Sequence, residues 1–89
     1  METIEITAVD IAGAGHGNWN DPLVRALNRV TGGSWRSEVL YSSGARMEQG
    51  ATWDEAGIGY VIDAATTHAL QEFDQSFVFA PRTCFLDEE

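Results

Sequence analysis

The chain contains no lysine, and its five arginines face fourteen Asp and Glu residues, for a net charge of −9 at pH 7. Proteins that bind a nucleic-acid backbone do so with cations that displace its counterions, so this balance argues against direct nucleic-acid binding. It argues equally against docking on an anionic membrane. There is one cysteine, Cys84, which rules out an internal disulfide and a cysteine-based zinc site. No apolar run reaches the roughly 18 residues that a membrane-spanning helix needs. The segment Met1–Glu5 is acidic and lacks the basic and apolar regions of a signal peptide, so the expected location is the cytoplasm.

The apolar content, 44% with three Trp, four Phe and two Tyr, suits a folded chain rather than a disordered one. Its 89 residues make one domain, residues 1–89, with a modest core. Residues 2–6 alternate polar and apolar and read as a strand. Thr7 with Asp10 forms an acidic capping box for one helical turn ending at Gly13. Gly13 to Asn20 is a loop by composition. Asp21-Pro22 starts a helix, Asp as cap and Pro at the first helical position. Its apolar stripe is Leu23, Ala26, Leu27 and Val30, and Gly32-Gly33 closes it.

Ser34 to Ser42 reads as a strand with Trp35, Val39 and Tyr41 on one face and Arg36, Glu38 and Leu40 on the other. A turn at Ser43-Gly44 leads to a short return strand, Ala45 to Gln49. Gly50 to Gly57 reads as irregular or a single helical turn capped by Thr52, with Glu55 three residues on. Residues 59–62 form a further strand. Asp63 caps a second main helix, Ala64 to Asp74, whose predicted buried stripe is Ala65, Ala69, Leu70 and Phe73. Ser76 to Phe79 alternates like a strand, interrupted at Ala80-Pro81, with a continuation from Thr83 to Leu86 before the acidic Asp87-Glu88-Glu89. The expected fold is α+β: a small antiparallel or mixed sheet of about four to five strands with two main helices on one face. The ferredoxin-like split βαβ arrangement is its best-known version.

Gly13-Ala14-Gly15-His16-Gly17 departs from the dinucleotide fingerprint, because Asn18 stands where the third glycine belongs. With no lysine there is no P-loop either. His16 and His68 lack a visible set of metal co-ligands; His68 is placed to pair with Glu72 on a helix face. Cys84, among aromatic strand residues, reads as a small buried hydrophobe rather than a nucleophile. The acidic clusters Asp54-Glu55 and Asp87-Glu88-Glu89 lack the spacing of a calcium loop. They read as solvated surface or as a protein-facing acidic patch. Trp19 and Trp53, in segments read as loops, are candidate binding anchors or lids on the core. The candidate binding set is therefore Trp19, Trp53, Asp54, Glu55, Asp87, Glu88 and Glu89, with no catalytic residue, no metal ligand and no cofactor expected.

Three stretches, Ile6–Gly13, Asp21–Leu27, and Glu72-Phe73-Asp74 followed by Phe77-Val78-Phe79, resemble a group of small acidic proteins of actinobacterial phages and prophages. The group often has Cys where Asp21 stands, and the segment from Ser42 to Gly57 is longer and different here. The resemblance implies a phage-encoded accessory protein acting in the host cytoplasm. By analogy of class, anti-CRISPR proteins and DNA mimics share its size and charge. Composition and resemblance together lead to the expectation of a non-enzymatic inhibitor that sets an acidic surface against a basic host protein or ribonucleoprotein complex. Two alternatives stand beside it: a small enzyme or ligand-binding domain centred on the Gly13–Gly17 loop, and a structural phage component.

Overall fold

A computed structural model describes all residues 1–89. The chain runs β1 (Glu2–Ile6), α1 (Ala8–Ala12), α2 (Pro22–Thr31), β2 (Trp35–Leu40), β3 (Arg46–Asp54), β4 (Gly59–Ile62), α3 (Ala64–Ser76) and β5 (Arg82–Glu88). The five strands form one sheet in the order β1-β5-β4-β3-β2, with every neighbouring pair antiparallel. The fold is α+β. Within that class the strand order is not the split βαβ arrangement. There a helix crosses over one strand to reach a parallel partner, whereas α3 here joins β4 to its antiparallel neighbour β5, and β1 and β2 lie at opposite edges.

Local chemistry sets the helix starts. Thr7 and Asp10 satisfy each other's backbone N–H groups in a capping box. Asp21 accepts from the Val24 N–H at 2.8 Å, and Asp63 from the Thr66 N–H at 2.9 Å. Such a cap is typically worth about 1 kcal/mol. Gly32 ends α2 in the left-handed region, at φ 72°.

Both main helices cover one face of the sheet, and the core lies between. Ile4, Ile6, Trp35, Val39, Ile62, Cys84 and Leu86 point into it from the strands, and Leu23, Val24, Ala26, Leu27 and Leu70 from the helices. Val24 replaces Val30 in the expected stripe of α2: Val30 lies in the last turn and is 61% exposed. Tyr41 stands beyond β2 and is exposed.

Three further expectations are corrected. The return strand does not stop at Gln49 but continues to Asp54, so Trp53 is a strand residue and Thr52 caps nothing. A register shift against β2 between Glu38 and Leu40 explains the broken alternation there. Gly50 marks it, since a Cβ at this position would stand 2.3 Å from the Glu38 carbonyl oxygen. Second, α3 buries Thr66, Thr67, Leu70, Gln71 and Phe73, while Ala65 is exposed and Ala69 only half-buried. Two of these, Thr67 and Gln71, fasten α3 to the irregular part of the sheet. Thr67 Oγ1 accepts from the Gly50 N–H at 2.9 Å, and Gln71 Nε2 donates to the carbonyls of Val39 and Met47 at 2.8 and 2.7 Å. Third, residues 76–79 are not a strand. Phe77 ends α3 in the left-handed region, at φ 58°, and regular structure resumes only at Arg82.

Candidate functional site

The face of the sheet opposite the helices is uncovered. Strand register assigns its residues, because directly paired residues project to the same side. One row runs Glu38–Ala51–Val61–Asp87, a second Arg36–Trp53–Gly59, and β1 and β5 add Thr3 with Phe85 and Glu5 with Thr83. Glu89 reaches this face as well, accepting from Trp53 Nε1 at 3.2 Å. The surface thus sets four carboxylates, Glu5, Glu38, Asp87 and Glu89, around one guanidinium and the apolar groups Val61, Phe85 and Trp53.

Trp19 joins from the loop before α2. The Asn18 carbonyl accepts from the Ser37 N–H at 2.9 Å, so the loop pairs briefly with the edge strand β2 and carries Trp19 over Arg36. The Arg36 guanidinium lies 5.7 Å from the Trp19 ring centroid and 5.2 Å from that of Trp53, within cation–π range of both. Beside this row opens a cavity of about 490 Å³ lined by Trp19, Ser34, Arg36, Trp53, Asp54, Glu55 and Gly57. Gly59 makes the row possible: a Cβ there would stand 2.6 Å from Trp53 Cδ1 and 2.8 Å from Glu89 Oε2. Gly59→Val is therefore expected to lift the Trp53 indole off the sheet. A changed Trp53 indole N–H resonance, with the folded spectrum otherwise kept, is the measurement that checks it.

The structure sorts the seven candidate binding residues. Trp19, Trp53, Asp54 and Glu55 line one cavity and Glu89 bonds to Trp53, so five meet in one place. Asp54 is largely committed to the β3–β4 turn, where its Oδ1 accepts from the N–H groups of Ala56 and Ile58. Asp87 lies on the same open face but two strands away from Trp53. Glu88 pairs with Tyr60 and projects to the opposite side of the sheet. The residue missing from the set was Arg36. Its placement on the outward face of β2 was visible in the alternation; its contact with two tryptophans depends on strand pairing.

The charge distribution is uneven. Four of the five arginines donate hydrogen bonds within the fold: Arg25 to Asn20, Arg29 to Asp10 and the Glu5 carbonyl, Arg46 to Glu72, and Arg82 to the Ala65 carbonyl. Only two of the fourteen carboxylates, Asp10 and Glu72, have a salt-bridge partner. Glu72 pairs with Arg46 rather than with His68. The Arg29 guanidinium grips buried Asp10 through both oxygens at 2.9 Å and holds its carboxyl down at about 2. Burial works against the charge of Asp63, but the N–H groups of Thr66 and Phe85 outweigh it and keep that carboxyl below its ordinary value.

The other candidate centres take structural places. The glycine loop folds on itself, with the Gly15 N–H bonded to the Asn20 carbonyl and the Arg25 guanidinium lying over Gly13. His16 stacks on Phe77 with centroids 3.7 Å apart and meets the edge of Phe73. Of this loop, Trp19 lines the cavity described above, whereas no residue of Gly13–Gly17 lines a cavity. Cys84 is buried, and burial pushes its thiol up to about 12, so it stays protonated at neutral pH. No three His, Cys, Asp or Glu side chains converge as metal ligands would. No helix is long and apolar enough to cross a membrane.

No protein-family model matches the chain, and no match emerges among curated proteins or solved structures.

Proposed function

We propose that this protein is a non-catalytic binding protein that sets the open face of its sheet against a basic surface of a protein or ribonucleoprotein. One observation carries the reading. The single uncovered face presents four carboxylates around a tryptophan–arginine cluster, while four of the five cations are tied up by hydrogen bonds within the fold. Carboxylates spread on a rigid sheet steer a basic partner and fix its register. Tryptophan and arginine are the side chains that most often dominate interface energy. In the phage setting that the resemblance implies, the partner is a host defence or nucleic-acid-processing complex in the cytoplasm. The protein then acts as an inhibitor of the anti-CRISPR or DNA-mimic type.

The test is affinity capture of the tagged protein with bacterial lysate at low and high salt, beside a Glu38→Lys, Asp87→Lys double variant. A basic protein complex should be retained at low salt and released at high salt. The double variant should bind it at least about tenfold more weakly, given the energies of close interfacial charge pairs. Capture that ignores both salt and the charge reversal would sink the reading.

A further inference from the structure

Arg36 differs from the other arginines. Its guanidinium donates no hydrogen bond and faces no carboxylate within ion-pair distance; two indole rings alone hold it. Glu55, across the adjoining cavity, is exposed and pairs with no cation. A cation–π pair at an exposed site is worth only about 0.5–1 kcal/mol, so this side chain is lightly held. The outcome is a slot already shaped for a planar guanidinium, with an unused carboxylate at its rim.

We propose that the Trp19–Trp53 clamp is a receptor for an arginine side chain of the partner, and that Arg36 is its resident occupant, displaced on binding. The proposal rests on the acidic-face reading above and names the group that the face recognises. An incoming guanidinium gains the same indole faces as Arg36 and adds a charge-assisted bond to Glu55. The displaced Arg36 remains on an acidic surface, with Glu38 two residues along the same strand face. Lysine is the poorer ligand, because its compact, strongly hydrated ammonium neither stacks on an indole nor offers a fork of donors to a carboxylate.

Oligo-arginine and oligo-lysine peptides of equal length serve as probes, followed by calorimetry and by the Trp19 and Trp53 indole N–H resonances. The arginine peptide should bind more tightly, by about fivefold or more, and shift both indole signals. Trp19→Ala, a change in an exposed loop residue, should erase the preference and leave lysine-level affinity. Arg36→Ala should strengthen arginine-peptide binding several-fold by vacating the slot. Equal, salt-sensitive binding of the two peptides overturns the clamp and leaves the acidic face standing. Binding of neither peptide at low salt overturns both. A weaker arginine complex in Arg36→Ala makes that residue part of the receptor and overturns its role as occupant.

Discussion

Asp21→Asn is expected to make the protein more stable at neutral pH, although it removes a helix cap's charge. Asp21 is buried, accepts from the Val24 N–H and from the Ser37 hydroxyl, and stands near Asp74. Burial drives its carboxyl up from 3.8 to about 6, against the opposing pull of those hydrogen bonds. That displacement corresponds to about 3 kcal/mol in favour of the neutral form. An asparagine keeps the acceptor for Val24 and carries no charge to desolvate. A gain of about 1–3 kcal/mol at neutral pH is expected, read as a higher urea midpoint at an unchanged slope. The unfolded chain ionises Asp21 near 3.8 and the folded chain near 6, so between those values the folded state binds the extra proton. The stabilisation is full below the lower value and is lost as pH rises through the upper one. Asp10 and Asp63 act in the opposite sense, since their lowered values make the fold lose stability as pH falls further. Wild-type stability should therefore peak at about pH 4, and Asp21→Asn should flatten the limb above that peak. A variant with unaltered pH dependence would show that the charge of Asp21 is already well solvated.

Phe73→Ala should come close to unfolding the protein. Phe73 is 1% exposed and is the centre of an aromatic cluster, with Phe77, His16 and Phe79 edge-on to it at 5.2, 6.1 and 6.2 Å. Truncating such a residue typically costs about 3–5 kcal/mol, and small domains hold only about 5–15 kcal/mol in all. The cavity would lie between α3, the glycine loop and the segment before β5, so all three lose their common contact. Thermal unfolding by circular dichroism should show a drop on the order of 15 °C or more. Phe73→Leu, which keeps most of the volume, should recover over half of it.

Features encoded over a few neighbouring residues were legible in the sequence. The caps at Thr7, Asp21 and Asp63, the alternation of β1 and β2, and the order of the elements all follow from local chemistry. What depends on distant partners was not. Gly50 reads as a breaker because its need for close approach to Glu38 comes from another strand. Thr67 and Gln71 fall outside the predicted stripe because apolar periodicity ignores polar groups buried against backbone donors and acceptors. Phe77-Val78-Phe79 imitates a strand, but the reversal at Phe77 takes it out of the sheet. The same divide runs through the candidate site. Trp19, Trp53 and the acidic clusters stood out by residue type, whereas the meeting of both tryptophans at Arg36 required the β2–β3 register and the single bond from the Ser37 N–H to the Asn18 carbonyl.

The position of β5 has a consequence for how the chain acquires its structure. In chain order this strand follows the other seven elements, yet in the sheet it lies between β1 and β4. Until residues 82–88 arrive, β1 has no strand to pair with, and Ile4 and Ile6 have no sheet neighbour in Cys84 and Arg82. The β2–β3–β4 meander, with α3, can assemble early from contacts close in sequence. Joining β1 demands closure of nearly the whole chain, a step whose entropic cost slows folding. β1 is therefore secured only once the seven-residue strand β5 has formed, and β5 acts as the latch.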